Sequence, residues 1–149
     1  MDKKRLSKIL AKADRQTVAA ISDDILKSYR PVIIKEPGKT LAMIKMREPV
    51  KNSLFYIGEV IVCEAVVEID NIKGAAVLMG DDTEKVLNMA IIDAAVNKGA
   101  FTGMDILFAL EKEQNDYLMR ENAMYLKTMV NFESMDQEAP DDLAANKKA

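Results

Sequence analysis

The chain contains no histidine. That absence removes the side chain whose ordinary pKa lies nearest neutrality and the commonest protein ligand for transition metals, so Ser-His-Asp, Cys-His and the usual zinc chemistries are excluded. Carboxylates, lysines, tyrosines and one thiol remain as groups that could do chemistry. The thiol, Cys63, has no second cysteine to pair with, which excludes an internal disulfide framework and an iron–sulfur cluster held by this chain alone. Uninterrupted apolar runs of membrane-spanning length are missing. The opening MDKKRLSKILAKADRQ has no apolar centre of the kind a secretory signal carries, and a cytoplasmic location is expected. Basic character is lacking too: 21 Lys and Arg against 24 Asp and Glu give a net charge of −3, which points away from nucleic acid and from anionic membranes. There is no glycine-rich phosphate loop, internal repeat or metal-ligand motif. Neither a cofactor nor a metal is expected.

What the chain does have is enough apolar sequence for one core. Its 149 residues predict a single α+β domain over 1–133, followed by a flexible acidic tail over 134–149. Lys3–Ala13 and Arg15–Tyr29 carry apolar residues at helical spacing, with Asp14 placed to cap the second helix. Pro31 ends that region. Val32–Ile34 and Leu41–Met46 predict two strands joined by a turn at Glu36-Pro37-Gly38-Lys39. A long strand follows from Leu54 to Ile69, then a turn over Asn71–Gly74 and a strand over Ala75–Met79. Short connections leave no room for a parallel crossover. The expected fold is therefore α+β, an antiparallel meander of about four strands packed with N-terminal, central buried and C-terminal helices. Lys98-Gly99 marks the end of the central helix, and Met104–Phe132 is helical by composition, either as one long helix or as two broken around Glu113–Asp116.

Two features carry functional weight. In the long strand, Phe55, Ile57, Ile61, Cys63, Ala65, Val67 and Ile69 share one face, while Leu54, Tyr56, Val60, Val62 and Val66 share the other. A strand apolar on both faces must be covered on both, by helices of this chain or by another subunit. The helix after Gly80-Asp81-Asp82 is apolar nearly all round, with Asn88, Asp93 and Asn97 as its few polar residues. A helix of that kind is buried on every side. Coverage by a partner is the simplest account, which makes Val86, Met89, Ile92, Asp93 and Val96 the candidate interface. The ten methionines suit either an irregular core or an adaptable contact surface.

Among candidate catalytic groups, Glu59 lies on the strand face shared by Phe55, Ile57 and Cys63, where a carboxylate would need a partner or a raised pKa. It could be an acid/base group, assisted by Glu64 or Asp93, or a structural ion pair. Asp93 must find a partner, either a cation of a neighbouring subunit or a group of its own chain. Asp81 and Glu84 together form a capping-box pattern at the start of the helix. Cys63 has no neighbour in sequence that would stabilise a thiolate, and is expected to pack as a small core residue.

The chain resembles the PhnG family, the G subunit of the bacterial carbon–phosphorus lyase core complex. The resemblance rests on Leu41-Ala42-Met43, Arg47-Glu48-Pro49-Val50, Phe55-Tyr56-Ile57-Gly58-Glu59-Val60, Glu64, Gly80-Asp81-Asp82, Ala90-Ile91-Ile92-Asp93-Ala94-Ala95 and Val130-Asn131-Phe132. It implies a part in α-D-ribose 1-methylphosphonate 5-triphosphate synthase activity, in which methylphosphonate displaces the base of a purine nucleoside triphosphate at ribose C1. It also implies partnership with the I subunit, to which the displacement is ascribed, in a symmetric assembly with H and J. Where the family carries a Phe-Thr-Met-Val-Arg-Gly-like run, this chain has Glu133-Ser134-Met135-Asp136-Gln137, so no anion-contacting arginine is carried over there. A stand-alone carboxylate enzyme using Glu59 is the alternative reading.

Overall fold

Asp14 separates the two helices that open the chain. The computed structural model describes residues 1–130 and places α1 over Lys3–Lys12 and α2 over Arg15–Leu26. The Asp14 carboxylate accepts the Gln16 N–H at 3.0 Å, satisfying one of the free donors of the first turn of α2. Leu6, Ile9 and Leu10 on α1, and Val18, Ile21 and Ile25 on α2, are buried, as their spacing predicts.

A three-stranded antiparallel sheet follows in the order β1-β2-β3, with β1 at Val32–Arg47, β2 at Leu54–Ile69 and β3 at Ile72–Met79. The α+β meander is as expected, but it has three strands where about four were anticipated. The missing turn is Glu36–Lys39, which lies inside a continuous β1 where the register against β2 slips between Ile33 and Lys35 and again between Lys35 and Gly38. β1 has a neighbour on one side only, so Pro37 can sit in it as part of an irregularity without reversing the chain. The β2–β3 turn is also tighter than the sequence suggested. Ile69 pairs with Ile72, and Asp70 and Asn71 alone make the turn with φ of 48° and 66°, the left-handed pair that matches hairpin twist.

Gly74 is consequently not a turn residue. It pairs with Val67 in the body of the hairpin, buried beneath α3 (Thr83–Lys98). A Cβ at this position would run into the carbonyl oxygen of Ala90 and the amide nitrogen of Ala94. Only glycine lets the helix backbone lie this close to the strand. α3 packs against β2 and β3 on one side and against α1 and α2 on the other. It ends at Gly99, whose φ of 74° closes the helix with its N–H on the carbonyls of Ala95 and Val96.

The chain divides into two compact units, Met1–Asp116 and Tyr117–Ala149. Helix α4 covers Met104–Thr128 and runs unbroken through Glu113–Asp116. In the first unit, Leu107 is buried, Gln114 Nε2 donates to the Ile9 carbonyl at 3.0 Å, and the Arg5 guanidinium grips Glu111 at 2.7 Å while lying 5.4 Å above the Phe108 ring. The Glu111 carboxyl is held below its usual range by the hydrogen bond and charge of Arg5. In the second unit the Tyr117 hydroxyl donates to Glu121 at 3.0 Å. The expected acidic tail from Ser134, Asn131-Phe132 and the Glu133–Gln137 departure lie outside the described residues.

Gly74→Ala is expected to destabilise the fold by about 1–3 kcal/mol, because α3 must shift outward to admit one methyl group. Urea unfolding measures this; an unchanged midpoint would show that α3 does not lie this close to β3.

Candidate functional site

α3 is covered within its own chain. Val86 and Ile92 are fully buried, Met89 and Asp93 nearly so, and of the five residues proposed as an interface only Val96 is partly open. The expectation that a partner must cover this helix is corrected by the layer arrangement: the sheet takes one side, and α1 and α2 take the other. Two short helices provide the second layer that sequence periodicity alone could not place.

The polar residues of α3 are accounted for by internal partners. Asp93, 4% exposed, accepts the Ala75 N–H at 2.9 Å and Asn97 Nδ2 at 3.2 Å through one oxygen, and Lys3 Nζ lies 3.0 Å away. Its partners thus come from β3, α3 and the start of α1, all in this chain. Asn97 also donates to the Lys73 carbonyl at 2.9 Å. Lys85 was not anticipated as a structural residue. Its ammonium is buried and donates to the carbonyls of Ala11 and Ala13, each at 2.8 Å, placing a cation on the negative end of α1.

The start of α3 is built differently from the capping box. Asp82, not Asp81, is the cap, accepting the Lys85 N–H at 2.9 Å. With the cap one residue later, Glu84 is no longer three positions on, and it pairs instead with Arg15. Asp81 turns to Lys39 at 3.4 Å. Among the described residues no group of three or more Cys, Asp or Glu side chains is placed to hold a metal ion. Cys63 is fully buried in the core beside Ala65 and Val67.

Glu59, Glu64 and Asp93 are not brought together. Glu64 points to the sheet face opposite Cys63 and Ala65, away from α3, and pairs with Lys35. Asp93 sits under β3 on the helix side. Glu59 is exposed, opposite Met43 on a part of the sheet that no helix covers. The limited water access expected for Glu59 is therefore corrected: its strand face is apolar, but the helices stop short of it.

That uncovered part exposes a run of large apolar side chains. β3 pairs with β2 only over Val62–Ile69, so Thr40–Arg47 and Leu54–Ile61 continue past the core as a two-stranded ribbon. Leu41, Met43, Met46, Leu54, Phe55, Tyr56, Ile57 and Ile61 are each 43–60% exposed along it. Alternation puts apolar side chains on both of its faces. Its tip is ordered by Glu48, whose carboxylate accepts the N–H groups of Val50 at 2.9 Å and Lys51 at 2.7 Å, while Arg47 donates to the Asn52 carbonyl at 2.8 Å. Two strands alone are marginally stable in water. Eight half-open apolar side chains on so small an element form the kind of exposed patch that marks a contact surface. The signal was present in sequence as the two-faced apolar pattern at the start of β2. What periodicity could not show was which stretch of that strand the helices would reach.

A family model described as phosphonate metabolism protein PhnG matches residues 1–137. Comparison with curated proteins finds no match. Among the described residues, no helix is long and apolar enough to cross a membrane.

Asp93→Ala is expected to cost about 2–3 kcal/mol, since it strips the buried Ala75 N–H and the Asn97 amide of their acceptor. Lys3→Ala removes a cation that is 57% exposed and is expected to cost less than about 1 kcal/mol. Chemical denaturation of the two variants checks this; equal losses would mean that the ion pair, and not the backbone contact, fixes Asp93.

Proposed function

The chain belongs to the PhnG family of phosphonate metabolism proteins, and from that membership we propose that it is the accessory G subunit of a cytoplasmic carbon–phosphorus lyase core complex. In this reading it joins the I subunit, with H and J, in a symmetric hetero-oligomer. It supports transfer of methylphosphonate onto ribose C1 of a purine nucleoside triphosphate, with release of the base. The observation that carries the reading is the β1–β2 ribbon, apolar on both faces and open to water. Burying one large apolar side chain is worth about 1.5–3 kcal/mol, so a surface of this size favours a partner over solvent. The dispersal of Glu59, Glu64 and Asp93 supports the same reading, because a general acid and base must converge on one reacting atom. In the complex the ribbon, not α3, is the contact surface, and the base-displacing chemistry resides in the I subunit.

Co-expression with the I subunit of the same genome, followed by size-exclusion chromatography with mass determination, tests the assembly. A co-eluting complex is expected. Assayed with nucleoside triphosphate and methylphosphonate, it should release base with a methylphosphonate dependence that the I subunit alone lacks. A monodisperse monomer that leaves the I subunit's activity unchanged would overturn the proposal.

Replacing Leu41 and Ile61, which face one another across the ribbon, by Lys should weaken complex formation more than about tenfold while shifting the thermal midpoint of the free chain by only a few degrees. Retained co-elution of this double variant would place the contact elsewhere.

A further inference from the structure

β3 ends early, and the way it ends leaves a backbone edge unused. Its last rung is the Gly80 N–H on the Ile61 carbonyl at 3.0 Å. Gly80 then takes a φ of 104°, a conformation side chain-bearing residues rarely adopt, and the chain leaves the sheet for α3. Backbone groups in an antiparallel strand alternate between the two neighbours. Because Ile61 faces the β3 side and the pairing of Gly58 to Ile61 with Ile44 to Leu41 is unshifted, the N–H and C=O of Glu59 face that side as well. Among the described residues no strand occupies it there. β2 therefore has a partner on one side only from Leu54 to Val60, and an open lane continues the line of β3 along the ribbon.

We propose that this lane receives an extended strand from a partner subunit, which completes the sheet by β-strand addition. The inference rests on the accessory-subunit reading and specifies how that contact is made. The incoming strand extends the line of β3, bonds through its backbone to Glu59, and carries alternating apolar side chains that lie beside Ile61 on one face and Val60 on the other. Charge further defines the occupant. Among the described residues Lys45, Arg47 and Lys51 at the far end of the ribbon have no carboxylate in ion-pair range, and the Glu48 carboxylate is committed to the turn. A second copy docked edge to edge would offer Leu54–Val60, which carries a single carboxylate, Glu59, against these three cations. The fitting strand is one flanked by Asp or Glu, and the partner is a different chain.

The experiment uses the full chain with the I subunit. Glu59→Pro removes the outward N–H without touching a bond to β1, at a position where an open edge tolerates proline. It is expected to weaken the complex more than about tenfold, the loss expected from the backbone bonds that strand addition forms there. Glu59→Gln keeps the amide and is expected to bind within about threefold of the parent. A second measurement does not depend on a variant: hydrogen exchange at the Glu59 amide should be fast in the free chain and at least about tenfold slower in the complex. If the parent chain forms no complex, the accessory-subunit reading fails. If it forms one in which the Glu59 amide still exchanges as in the free chain, or which a folded Glu59→Pro joins as tightly as the parent, the subunit reading stands and strand addition is overturned. Equal weakening by Glu59→Gln would transfer the contact from the backbone to the carboxylate and overturn it too.

Discussion

The contact of α3 with β3 at Gly74 is the constraint on which the rest of the first unit depends. A helix backbone can approach a strand this closely only where the strand has no side chain. The approach brings Asp93 to the N–H of Ala75, one residue along. From there the order propagates outward: Asp93 also holds Asn97, Asn97 holds the Lys73 carbonyl, and Lys3 closes over Asp93 from α1. At the other end of α3, Lys85 secures the C-terminal carbonyls of α1. One helix thus organises the sheet through a carboxylate and the helical layer through an ammonium, and both charges are met by polar groups as burial requires.

This arrangement gives the molecule a division of labour along β2. Its second half, from Val62 onward, is three-stranded and roofed by α3. Among the described residues its first half has only β1 beside it and stays exposed. The same strand is core at one end and exposed apolar surface at the other. The boundary falls where Gly80 takes the chain out of the sheet, so the length of β3 decides how much of β2 is left for contact. In a protein of a family tied to phosphonate metabolism, the exposed apolar surface of β2 thus lies on a strand pair and not on a loop.

Much of this was legible in the sequence. The helix boundaries near Asp14 and Gly99 follow from local chemistry, since a carboxylate cap and a left-handed glycine act within a single turn. Short connections fixed the antiparallel order of strands. The readings that failed have a common cause. Glu36-Pro37-Gly38-Lys39 resembles a turn in isolation, but neighbouring β2 holds it in one irregular strand. Gly74 resembles a turn residue, but its role is set by Ala90 and Ala94, distant in sequence. Glu59 shares the face of buried residues, yet burial ends with the helices and not with the pattern.

By itself, the sequence determined the α+β class, the apolar faces, the caps and the exclusion of histidine-based chemistry, because these depend on residue identity and spacing along one element. Tertiary structure alone decided which apolar surface is satisfied within the chain. The all-apolar helix, taken from pattern as the surface in need of a partner, is enclosed by α1, α2 and the sheet, whereas the two-faced start of β2 is left in water. Hydrophobic periodicity states that a surface must be covered, and says nothing of what covers it. That is settled only by where distant segments of the chain come to rest.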